Sequence, residues 1–121
     1  MILAAVDDLL FSSKIRTTAK QAGVELRFAR TPPEILEQTR TFRPSLVIFD
    51  LNSAKADPIQ TIATLKQDPE LSTTRTLGFV SHVHTDLIEQ ARRAGLDDVM
   101  ARSAFAARLA EILLAASPSR S

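Results

Sequence analysis

The 121-residue sequence contains no cysteine, no tryptophan and no tyrosine, and only three glycines. Without cysteine there are no disulfides and no thiolate chemistry, and the redox compartment stays undetermined. Six phenylalanines are the only aromatic residues, too few for a broad stacking surface against single-stranded nucleic acid. The glycines, Gly23, Gly78 and Gly95, never form the Gly-rich turn that opens a helix after a strand and cradles phosphate. Charge of one sign is missing too. Fifteen basic and 14 acidic side chains give a net charge of +1 with no basic cluster longer than Arg92-Arg93, so no nucleic-acid footprint is present. The first apolar run, Ile2-Leu3-Ala4-Ala5-Val6, is too short for a signal-peptide core and has no basic lead-in. No segment has the length of a membrane span. The expectation is a cytoplasmic protein with no nucleic-acid or membrane partner.

What the chain does have is alternation. Five short apolar runs, at residues 2–6, 24–29, 45–50, 76–81 and 97–101, are separated by amphipathic stretches. Runs without polar alternation suit strands covered on both faces, as in a parallel sheet. The second run, Val24-Glu25-Leu26-Arg27-Phe28, does alternate and is placed at an edge.

Helical spacing fills the gaps. Phe11, Ile15, Ala19 and Ala22 share a face that Gly23 ends as a C′ residue. Thr31-Pro32-Pro33-Glu34 reads as a capping box. Asp57-Pro58 opens a third helix bearing Ile59, Ile62 and Ala63. Leu87, Ile88, Ala91 and Ala94 mark a fourth that stops at Gly95. Ser103 is expected to cap a fifth, carrying Phe105, Leu109, Ile112, Leu113 and Ala116. The prediction is a (βα)5 α/β fold: a doubly wound, five-stranded parallel sheet of flavodoxin-like type in three α/β/α layers. It forms one domain over residues 1–116, with a frayed tail at 117–121.

In such sheets ligands bind beyond the carboxyl ends of the strands. Asp7 and Asp8 follow the first run, and Asp50, with Leu51-Asn52, ends the third. Ser81 and His82 end the fourth, and Arg102 follows the fifth. Carboxylates converging on one edge need a cation, a proton or a guanidinium to balance them. Such oxygens suit Mg²⁺, and an Asp carboxylate can accept a phosphoryl group. A hydroxyl and a cation nearby would hold the added oxygens. Taken together, the acid pair, Asp50, Ser81 and Arg102 make a coherent constellation for phosphoryl transfer. By contrast, His82-Val83-His84 with Asp86 nearby sets no third metal ligand by spacing.

These residues and their order, over essentially residues 1–116, resemble a CheY-like response-regulator receiver. The resemblance implies Asp50 as phospho-acceptor and Ser81 as the hydroxyl following the phosphoryl group, with Arg102 a second phosphate contact. It implies Asp7, Asp8, Asp50 and the backbone carbonyl of Asn52 as ligands of Mg²⁺. Gly95-Leu96-Asp97-Asp98 is similar to the family's Gly-Ala-Asp-Asp, and Pro44-Ser45-Leu46-Val47 to its Pro-Asp-Leu-Val. The departures are equally specific. Arg102-Ser103 stands where the family has Lys-Pro, and a planar guanidinium does not replace a compact ammonium. Ser53-Ala54-Lys55-Ala56 replaces the loop with Met-Pro and Gly, and Val99 holds the aromatic switch position. Counting back from Gly23 without a gap puts Val6 and Asp7 on the acid pair, whereas a one-residue deletion puts Asp7 and Asp8 there.

Three functions follow as expectations. The first is a stand-alone, non-enzymatic, atypical receiver (pseudo-receiver) in phosphorelay signalling, with phosphotransfer impaired or lost. The second is a competent single-domain regulator phosphorylated on Asp50 with Mg²⁺. The third is a small flavodoxin-like ligand binder or enzyme. For a receiver, the implied partner is another signalling protein such as a histidine kinase. A second copy would instead dock through the face of the fourth helix, last strand and fifth helix, where Ala104, Ala106, Ala107 and Ala110 form a small-residue surface. Arg102 also has a rival role as a permanent cation neutralising Asp50.

Overall fold

The computed structural model describes residues 1–81 and 85–117. The expected strands and helices are there, in order: β1 (Ile2–Ala5), α1 (Leu9–Ala22), β2 (Leu26–Phe28), α2 (Pro32–Phe42), β3 (Leu46–Asp50), α3 (Pro58–Gln67), β4 (Thr76–Val80), α4 (Thr85–Ala94), β5 (Asp98–Ala101), α5 (Arg102–Ala107) and α6 (Leu109–Ala116). All strands are parallel, in the order β2-β1-β3-β4-β5. His82-Val83-His84 and residues 118–121 of the expected tail lie outside the described residues.

Strand periodicity explains why the central runs lack polar alternation. Ile2, Ala4, Ile48, Leu77 and Phe79 point to one face, where Phe11 and Ile15 of α1 and Phe105, Leu109 and Leu113 of α5 and α6 cover them. Leu3, Ala5, Val47 and Phe49 point to the other, under Ile35 of α2, Ile62 and Leu65 of α3 and Ala91 of α4. Both faces of β1, β3 and β4 are buried, so their positions are apolar or small except at two strand ends, Thr76 and Asp50. The alternating second run is an edge strand, as expected, and pairs only with β1. With one neighbour to bond, only Leu26–Phe28 of residues 24–29 forms ladder structure.

Two cap expectations and one helix need correction. Pro32 opens α2, but Thr31 makes no side-chain cap bond. Pro32 and Pro33 have no N–H to donate to it, and Glu34 reaches past it to accept the Arg30 N–H at 2.6 Å. Ser103 is not a cap. β5 runs straight into α5, so the turn falls at Ala101 and Ser103 lies inside the first helical turn. The single fifth helix is two, divided at Arg108 where the backbone leaves helical geometry (φ −108, ψ 15). Gly23 does end α1, with φ 71 and its N–H on the carbonyls of Ala19 and Lys20, a conformation that costs any side chain with a Cβ about 1 kcal/mol or more.

Candidate functional site

Parallel strands bring their carboxyl ends to one edge, and every polar residue that follows a strand arrives there. Asp50 ends β3, Asp7 and Asp8 follow β1, and Ser81 follows β4. Arg30 follows β2 and Arg102 follows β5. The β1–β3 register pairs Ala5 with Phe49. One step further Val6, 1% exposed, lies abreast of Asp50. An apolar residue therefore stands beside Asp50, and Asp7 and Asp8 follow it in the loop to α1.

Asp50 is 7% exposed, and its Oδ1 accepts the Asn52 N–H at 3.0 Å. Burial raises its pKa above the ordinary carboxyl value, further helped by the charges of Asp8 and Asp7, while the Asn52 bond and Arg102 pull the other way. A group whose folded pKa is raised binds its proton more tightly folded than unfolded, so above the ordinary value of 3.8 its charge destabilises the fold. Asp50→Asn keeps an acceptor for Asn52 and removes that charge. The variant is expected to be more stable by about 0.5–1 kcal/mol at neutral pH, measured by urea unfolding, with the gain vanishing in acid. An unchanged or lower midpoint at neutral pH would show that the charge is already balanced.

Asp8 does different work. It is the N-cap of α1, its Oδ1 accepting the Phe11 N–H at 3.0 Å. Its Oδ2 takes Nη2 of Arg102 at 3.2 Å. The Phe11 bond holds its pKa below the usual carboxyl value against the desolvation that raises it, and Arg102 adds to the lowering. Arg102 therefore does not sit on Asp50, contrary to the rival role proposed for it. Its guanidinium carbon lies 4.3 Å from the Phe11 ring centroid, and Nη1 is 3.5 Å from Ser81 Oγ, the long limit of a hydrogen bond. Stacking over the ring and pairing with the cap fix a planar cation in a way a Lys would not match.

Asn52 links the two central strands through its side chain: Oδ1 accepts the Ser81 N–H at 2.8 Å while its own N–H holds Asp50. Asp7 lies between two further cations, with Arg30 Nε at 4.0 Å and Lys55 Nζ at 3.9 Å. Neither Arg30 nor Lys55 was anticipated from sequence, although Arg30 directly follows the second apolar run and so obeys the strand-end rule that singled out the others. Phe11 as a platform for Arg102 was missed as well, since its spacing marked it only as core.

The donor set does not suit the implied Mg²⁺. Among the described residues no three Asp, Glu, His or Cys side chains are grouped as metal ligands would be. Of the three acids Asp8 has both oxygens committed, and Asp7 faces two cations.

No protein-family model and no curated protein matches the chain. Solved structures do. Chemotaxis response regulator CheY4 of Vibrio cholerae superposes with a TM-score of 0.80 at 16% identity, over 95% of this chain and 96% of its own. The phosphorylated cyanobacterial phytochrome response regulator RcpA gives 0.79 at 22%, over 94% and 88%. A Mn²⁺-bound response regulator gives 0.75 at 18%, over 94% and 88%. With its sheet order and six helices, this chain has the CheY-like fold of the response-regulator receivers.

Proposed function

We propose that the chain is an atypical receiver: a non-enzymatic signalling module of the two-component type whose phosphotransfer is impaired or lost. One observation carries this reading. The acceptor position is kept, with Asp50 buried at the end of β3 and joined through Asn52 to Ser81, while the groups that would activate it are displaced. Apolar Val6 lies abreast of Asp50, and Arg102 is bound to Asp8 and Phe11 rather than aimed at Asp50. A partner of this module is a signalling protein such as a histidine kinase, or a second copy meeting α4, β5, α5 and α6. Ala104, Ala107 and Ala110 are exposed there.

Incubation with Mg²⁺ and acetyl phosphate, followed by intact-mass measurement, tests the reading. Under conditions that label a control receiver fully, the wild type is expected to gain less than about a tenth of one phosphoryl group, in keeping with the loss of one charged group from a cooperating set. Full labelling that disappears in Asp50→Asn would establish the competing reading. In that version Asp50 is phosphorylated with Mg²⁺ held by Asp50, Asp7 and the Asn52 carbonyl; it draws on Asp50 and Ser81 standing at the ends of adjacent strands. The flavodoxin-like ligand binder would need an enclosed pocket at the site; the crevice of about 370 Å³ between β5 and α6 lies at the opposite ends of the strands, over Leu46, Leu77, Met100 and Ile112, and the hollow lined by Phe11, Ser81, Arg102 and Ala106 is the more open of the two.

A further inference from the structure

We propose that Arg30, Lys55 and Arg102 stand in the electrostatic place of a divalent cation, so that the acid cluster of this chain is balanced by its own side chains and takes up no metal ion. The inference rests on the receiver reading and deepens it by stating how the site is regulated: by competition for charged side chains, not by metal occupancy.

The argument is one of charge and geometry. Three carboxylates, Asp7, Asp8 and Asp50, share the edge of the sheet, close enough for the first two to act on the third. Such a cluster needs compensation. With Val6 abreast of Asp50, it carries one negative charge fewer than a cluster with acids at both positions. Three cations reach it, one from the start of α5 and two from separate loops: Arg102 to Asp8 at 3.2 Å, Lys55 to Asp7 at 3.9 Å and Arg30 to Asp7 at 4.0 Å. Each acid beyond β1 therefore has its own partner, and Arg102 also acts on Asp50 across the cluster.

A small divalent ion would have to displace these groups. Mg²⁺ requires oxygen atoms at 2.0–2.1 Å in near-octahedral array. Asp8 cannot supply one without leaving either its helix cap or Arg102. Asp7 would have to give up both its neighbours. Arg30 and Lys55 are more than half exposed, at 53% and 67%, so each contact alone is weak. Arg102 is the fixed member, held by the Phe11 ring below it.

The test uses Mn²⁺ as the probe, following the free-ion signal by electron paramagnetic resonance during titration with protein. The wild type is expected to take up no Mn²⁺ saturably at sub-millimolar concentration. Lys55→Gln/Arg102→Gln is expected to bind it at least about tenfold more tightly, two screened charges having been removed. Circular dichroism checks the fold of the variant, and Arg30→Gln/Lys55→Gln, which leaves Arg102 in place and changes only exposed side chains, serves as a second gain-of-binding variant. Saturable sub-millimolar uptake by the wild type overturns the proposal. So does a folded pair of variants that bind Mn²⁺ no better than the wild type. Acetyl-phosphate labelling of the wild type in the presence of a chelator would instead overturn the impaired-phosphotransfer reading and leave this one standing, whereas Mn²⁺ uptake without labelling does the reverse.

Discussion

Asp97→Ala is expected to lower the stability of the domain by about 2 kcal/mol, or about 8 °C in Tm. The reason is the number of groups that depend on one oxygen. Asp97 Oδ2 accepts Nζ of Lys66 at 2.9 Å, the Thr76 N–H at 2.8 Å and Thr76 Oγ1 at 3.0 Å. Thr76 is fully buried at the start of β4, so losing its acceptor leaves a dry N–H unsatisfied. Lys66 is largely buried, its side chain 14% exposed, and its stem passes under Gly95, where an added Cβ would lie 2.7 Å from Lys66 Cγ. The network thus ties the end of α3, the start of β4 and the turn into β5 at the edge opposite Asp50. Lys66 retains the Thr74 carbonyl at 2.7 Å, which limits the loss.

The same network predicts a pH dependence of definite sign. Asp97 is desolvated, which alone would raise its pKa, but the bonds from Lys66 and Thr76 outweigh burial and hold it below 3.8. A carboxyl lowered in the folded state binds its proton less readily folded than unfolded. Its contribution is therefore present above the unfolded value and is lost as pH falls through the folded one. The stability gap between wild type and Asp97→Asn should be constant near neutrality and close as pH falls below 3.8. Urea unfolding across that range checks this; a gap that widens in acid would reverse the assignment.

How much of this was legible beforehand differs between fold and site. Strands such as Leu46-Val47-Ile48-Phe49 and helix faces such as Phe11, Ile15 and Ala19 are written locally, as runs and spacings, and the sheet follows from them. The strand-end rule likewise brought Asp7, Asp8, Asp50, Ser81 and Arg102 to one edge. Pairing within the edge was not legible. Whether Arg102 meets Asp50 or Asp8 is decided by which residue caps α1 and by a ring whose position depends on tertiary packing. The acid register was ambiguous because a one-residue deletion in a loop leaves no local mark; the ladder from Ile2–Leu46 to Ala5–Phe49 shows that Val6 comes abreast of Asp50. Asp97 was visible merely as part of a family-like tetrapeptide, because its partners Lys66 and Thr76 are 31 and 21 residues away.

The packing beneath the site gives the other large effect. Phe105 is fully buried, stacked on Phe79 with centroids 4.9 Å apart and tilted against Phe11 at 5.8 Å. Phe105→Ala should cost about 4 kcal/mol, about 15 °C in Tm and a large part of the stability of a domain this size. The effect reaches the site through helical spacing. Asp8 and Phe11 are three residues apart at the start of α1, and Arg102 and Phe105 three apart at the start of α5. Each helix therefore presents a charge above a ring, and the ion pair Asp8–Arg102 is aligned because the rings below it are. Phe105→Leu, which leaves the domain folded, removes the ring but not the helix. In that background a double-mutant cycle between Asp8 and Arg102 is expected to show less coupling than in the wild type. Equal coupling in both would mean that the cap and the guanidinium find each other without the Phe105 ring, the Phe11 ring alone being enough to seat Arg102.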